Sequence, residues 1–212
     1  AGRSLDGKYD VESVVAEGGF GVVYRGTHRT LKKPVAIKVL KSPPDLDARA
    51  KEAFHEGFAR EAQVIARLDH PAIVHAIDFG ASPMPTGETA TWMVLEWLEG
   101  ETLADALKAR RGRGGRTPAE ALTILRPVFE ALACAHEQGV AHRDVKPANI
   151  MRMKGATTES TRHGKPATRL LDFGIAKAME PDEQSGSGHT RTRSGLLSFS
   201  LPYAAPEQVS AA

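Results

Sequence analysis

His142-Arg143-Asp144-Val145-Lys146-Pro147-Ala148-Asn149 is the stretch on which the reading of this chain turns. It gathers an imidazole, two cations, one carboxylate and one amide, and Asp172-Phe173-Gly174 and Ala205-Pro206-Glu207 follow it downstream. Singly, these segments read as a polar loop, a turn and the start of a helix. Their setting says more. Immediately upstream, the pattern predicts a helix over 118–138, with Gly139 as its C-terminal stop and Pro127 bending it near Thr123. A shorter helix is expected over 102–110. The tract 110–116 between them, rich in arginine and glycine, reads as a solvated loop in preference to an anion-binding patch.

Further back the character changes. Val11, Val14 and Val15 precede a glycine cluster, Val22-Val23-Tyr24 follow it, and Val35-Ala36-Ile37-Lys38-Val39-Leu40 is a β-branched run. A helix fits 47–68, where Phe54, Phe58, Ile65 and Leu68 share one face. Glu61 falls on that same face, and an inward carboxylate needs a cation. Strands at 73–79 and 91–95 are separated by a loop at 82–88. Strands with one helix, then mainly helices, predict an α+β fold of two lobes whose boundary falls near 96–100. Ligands usually bind in such clefts.

Composition narrows the function. Hydrophobic residues make up 41% and charged ones 25%, ordinary for a folded domain. A net charge of +2 argues against nucleic acid as a partner. The single Cys134 forms no internal disulfide and reads as a small core residue; no Cys/His cluster has zinc spacing. No membrane-spanning run and no signal peptide are visible, so the expected location is cytoplasmic.

The cluster Ala16-Glu17-Gly18-Gly19-Phe20-Gly21 leads into a strand and not a helix, which suggests a flap over phosphates more than a P-loop; a plain hairpin is the alternative. Lys38 puts a charge inside an apolar strand. Pairing it with Glu61 resolves both anomalies and leaves Lys38 able to reach phosphate oxygens, while a half-exposed strand face would also tolerate it.

Taken together, the segments resemble the eukaryotic-type serine/threonine protein kinases. Five specified residues at about 5% each match by chance on the order of once in three million start positions. The resemblance runs from about Tyr9 to the last residue, with Tyr203-Ala204-Ala205-Pro206-Glu207-Gln208 most like bacterial members. It implies an antiparallel N-lobe with one main helix over 1–98 and a mostly helical, incomplete C-lobe over 99–212. It implies Mg2+-assisted transfer of phosphate from ATP to serine or threonine hydroxyls of proteins, with Asp144 as catalytic base and Lys146 steadying the phosphate. Lys38 and Glu61 would complete the catalytic set, and Asn149 and Asp172 would bind the metal. The nucleotide would lie against Ala16, Gly18, Gly19, Phe20, Gly21, Val23, Ala36, Lys38, Leu95, Glu96, Leu98 and Met151, with Leu95 as gatekeeper.

Several features depart from that family pattern. Ala16 stands where the first glycine is usual, so weaker nucleotide binding is expected. The span between Asn149 and Asp172 is long, with a polar surface excursion around 154–166. Phe199-Ser200-Leu201-Pro202 replaces the usual Gly-Thr-Pro, with Ser200 positioned for the threonine's role. The helices that complete a kinase C-lobe are missing, so truncation is expected, and a kinase-like nucleotide-binding or protein-interaction module, inactive in this form, is the alternative reading. Phosphorylation at Thr190, Thr192, Ser194 or Ser198, in trans by a second copy, is expected, with Arg143 gripping the phosphate.

Overall fold

The alternation around Ile37 builds the first sheet. In β4 (Lys33–Leu40), Val35 and Ile37 are buried on one face while Ala36 and Lys38 point to the other. Ile37 pairs with Tyr24 of β3 (Gly21–His28) and with Val94 of β6 (Thr89–Glu96). With β1 (Arg3–Leu5), β2 (Tyr9–Gly18) and β5 (Ala76–Pro83) they form an antiparallel sheet ordered β1-β2-β3-β4-β6-β5. The structure is a computed structural model and describes residues 3–18, 21–41, 48–83, 89–155, 166–173, 201–203 and 206.

On the outer face Tyr9, Val35, Ile37, Trp92 and Val94 form one apolar cluster. The Tyr9 hydroxyl donates to Asp78 at 3.0 Å, and burial together with that carboxylate pushes its pKa up to about 12. On the inner face lies α1 (Ala48–Ala66), the helix expected at 47–68. Phe58, Ala62 and Ile65 form its buried stripe and pack toward β5 and β6.

The second lobe holds α2 (Leu103–Ala109), α3 (Pro118–Glu137) and a small antiparallel sheet of β7 (Gly100–Thr102), β8 (Ile150–Met153) and β9 (Thr168–Leu170). Thr102 caps α2, and Thr117 and Glu120 form a capping box that starts α3. Gly139, at φ +73°, ends α3 as expected. Pro127 lies inside that helix, buried beside Val128. One apolar cluster runs from Phe58 and Ile65 through Ile73 and Leu170 to Val128 and Ala135, so the two lobes share a core.

One strand boundary needs correcting. The strand expected at 73–79 starts at Ala76 and continues through Pro83. Residues 72–74 are drawn instead to β9: Leu170 N donates to Ala72 O at 2.7 Å and Val74 N to Leu170 O at 3.0 Å. The loop foreseen at 82–88 accordingly begins later, and 84–88 lie outside the described residues. Strands β8 and β9 are paired as a hairpin flanking the foreseen excursion, of which 156–165 are also outside them. Among the described residues, no helix is long and apolar enough to cross a membrane.

Candidate active site

The segment between α3 and β8 is organised around a buried histidine. His142 is 2% exposed; its Nε2 donates to Leu171 O at 2.9 Å, while the Asp144 N–H is shared between His142 O at 2.8 Å and Nδ1 at 3.3 Å. A carbonyl facing Nε2 and an N–H facing Nδ1 assign the neutral tautomer with the proton on Nε2. Burial lowers the His142 pKa accordingly. The Phe173 ring lies 4.8 Å away. His142 thus ties the loop of Asp144 to the segment carrying Asp172.

Asp144 is the hub of the loop. Its Oδ2 accepts from Lys146 Nζ at 2.7 Å and from Asn149 Nδ2 at 3.1 Å, and its backbone oxygen accepts from the same amide at 2.9 Å. These donor bonds orient Asn149 so that Oδ1, an oxygen suited to a hard cation, is the amide atom not engaged with Asp144. Asn149 O in turn accepts from Leu171 N at 2.8 Å. Next along the chain, Asp172 forms an ion pair with Lys38 Nζ, from the middle of β4. Arg143 and Asp172 both hold left-handed backbone, φ +60° and +48°, a conformation that costs a non-glycine residue on the order of 1 kcal/mol and clusters at working sites.

Lys38, Asp144, Lys146, Asn149 and Asp172 are therefore brought together. The partner foreseen for Lys38 was Glu61; the described partner is Asp172, and the Glu61 side chain, on α1, lies outside the described residues. At the flap, Gly18 pairs with Gly21 and Ala16 with Val23 across β2 and β3, while Gly19 and Phe20 are outside the described residues. Gly21 has a packing reason of its own: a Cβ there would sit 2.3 Å from Val39 O. Val23 pairs with Lys38 and Ala36 with Leu95, so these line neighbouring strands. Leu98 is buried just past β6, and Met151 on β8 faces Thr102 and Arg169 in register. Thr190, Thr192, Ser194, Ser198 and Ser200 lie outside the described residues.

Two further contacts were not foreseen. The Arg25 guanidinium lies 5.1 Å from the Trp97 ring centroid. Arg169 grips the Glu96 carboxylate with both terminal nitrogens, at 2.6 and 2.8 Å. A charge on a short strand between Thr168 and Leu170 is the same anomaly that drew attention to Lys38. Among the described residues there is no group of three or more His, Cys, Asp or Glu placed to hold a metal. Asn149 and Asp172, an amide oxygen and a carboxylate, suit a hard ion whose remaining ligands are phosphate oxygens and water.

Comparison with known proteins adds to this geometry. A family model described as "Protein kinase domain" matches residues 9–212. Serine/threonine-protein kinase pkn2 of Myxococcus xanthus is 39% identical over 204 residues, covering 96% of this chain and 22% of that protein. Serine/threonine-protein kinase PknB of Mycobacterium tuberculosis is 34% identical over 204 residues, with 96% and 29% covered. The solved kinase domain of PknI from M. tuberculosis superposes with a TM-score of 0.61 at 29% identity, covering 79% of this chain and 59% of that one. The chain thus spans less than a third of the length of these two curated relatives.

Proposed function

Because this chain belongs to the protein kinase domain family, we propose that it carries the ATP-binding and phosphoryl-transfer site of a serine/threonine protein kinase. The observation that supports this best is the convergence of Lys38, Asp144, Lys146, Asn149 and Asp172 through direct ion pairs and hydrogen bonds. In this reading 1–98 and 99–212 are the two lobes. Adenine lies against the backbone of Glu96 and Leu98, with Val23, Ala36, Leu95 and Met151 around the ring.

Phosphoryl transfer demands little covalent work and much placement of charge. Asp144, held by Lys146 and Asn149, orients the substrate hydroxyl and takes its proton. The hydroxyl oxygen bonds to the γ-phosphorus as the bond to the departing ADP oxygen breaks. Lys146 and Lys38 offset the phosphate charge, with Glu61 steadying Lys38. Asn149 Oδ1 and Asp172 would hold Mg2+, which when bound neutralises charge across the phosphates. The partners are cytoplasmic protein hydroxyls, including those of a second copy.

Incubation with radiolabelled ATP and a basic protein substrate tests the reading. Transfer by the wild type and its loss in Asp144→Asn are expected. Stabilisation by Mg·ATP without transfer to any protein would replace it with a nucleotide-binding module.

A further inference from the structure

Arg169 stands three positions before Asp172, and its guanidinium reaches out of its own sheet. Nη1 donates to Glu96 Oε2 at 2.8 Å, and Nη2 to Glu96 Oε1 and to Ile73 O, each at 2.6 Å. The same Glu96 oxygen Oε1 accepts from His75 N at 2.7 Å, and Glu96 N donates to His75 O at 3.0 Å. Residues 72–75 are thus wedged between the end of β6 and β9, and the Arg169–Glu96 pair closes the ring. The pair joins the six-stranded sheet to the three-stranded one. Its side chains are 16% and 30% exposed, against 35% and 50% for the neighbouring Arg152–Glu101 pair on β8 and β7. A half-buried bidentate fork sets angle as well as distance, which a screened surface pair does not.

We propose that Arg169 is a positioning residue: it holds the Glu96 end of β6 at a set distance from Asp172 and so couples recognition of adenine to recognition of metal-bound phosphates. This rests on the kinase reading above. Glu96 belongs to the segment assigned to adenine, Asp172 to the metal, and Arg169 is the side chain that links the first to the strand leading into the second. Met151, assigned to the adenine ring, is the register partner of Arg169, so the fork also anchors the strand beside that residue.

The test compares two ligands. Adenosine reads the hinge alone, whereas Mg·ATP reads both ends; titration calorimetry gives each affinity in wild type, Arg169→Met and Arg169→Lys. In Arg169→Met, Mg·ATP binding weakens about tenfold more than adenosine binding, the scale of a misplaced charge-assisted contact. The Mg2+ concentration that half-saturates ATP binding rises with it. Arg169→Lys, which keeps the charge and loses the fork, shifts the ratio in the same direction by less, and it carries the test if Arg169→Met does not fold. Loss of thermal stability with both affinities falling by one common factor overturns the proposal and leaves Arg169 a structural residue. Failure of both variants to fold overturns it equally. A wild-type protein that binds neither ligand overturns the kinase reading itself, and the coupling with it.

Discussion

Along the β2–β3 hairpin and where it meets the end of β4 the side-chain pairs are exposed: Arg25 with Glu12 at 3.3 Å, and Lys41, just past β4, with Glu17 at 2.8 Å. Val14 and Val15 are exposed there too, so the hairpin is held mainly by its backbone ladder. At the junction of 142–149 with 168–173 the polar groups are buried or partly buried and linked in sequence, from Lys146 through Asp144 and Asn149 to Leu171. Exposed pairs contribute little because water competes for both partners, whereas a buried network is costly to break at any member. The two walls of one proposed site therefore differ in kind: one adjustable, one set.

That contrast can be broken most severely at Asp144. On the kinase reading, Asp144→Asn should lower phosphate transfer by about 10²–10⁴-fold, the range of a lost general base, and should also lower the unfolding midpoint, because the ion pair with Lys146 is lost. Transfer assays and urea melts on the same preparation separate the two effects.

Next in size is His142. Replacing it by alanine leaves Leu171 O without its donor and removes a buried ring, while Asp144 N keeps the backbone oxygen of residue 142, and should cost about 2–4 kcal/mol in urea unfolding. Its pH signature has a definite sign. Because the folded pKa is lowered, the unfolded chain binds the proton first, so stability is full above about pH 6.5 and falls as pH drops toward the folded value. The difference between wild type and His142→Ala across that window isolates this residue from the other histidines.

The hairpin offers a sharper internal test. Gly21→Ala forces a Cβ against Val39 O and should cost about 1–3 kcal/mol, while Gly18→Ala, with nothing within 4 Å, should be tolerated. Equal melting temperatures for the two would contradict the register of β3 on β4. Smallest of all is Glu17→Gln, which removes the exposed partner of Lys41. Its unfolding midpoint should match wild type in moderate salt, where such pairs are screened.

Much of this was readable beforehand. The helix at 47–68 appears as Ala48–Ala66, and the one at 118–138 as Pro118–Glu137, because spacing along a helix and capping at its ends are near-neighbour properties. Arg169 carried a signal, a charge in an apolar strand, but nothing local pointed to Glu96. The early start expected for β5 failed because Ile73 and Val74 have strand-like side chains, yet their backbone is claimed by Leu170.

The order of residues by itself determined the alternation of strands and helices and the chemical inventory: two lysines, two aspartates, one asparagine and a glycine-bearing turn. Only the tertiary structure decided who meets whom. Lys38 and Asp172 are 134 positions apart, and Glu96 and Arg169 are 73 apart. Periodicity states which face a side chain occupies, but a charge settles on whichever partner the packed lobes bring within reach, and that is a property of the whole core.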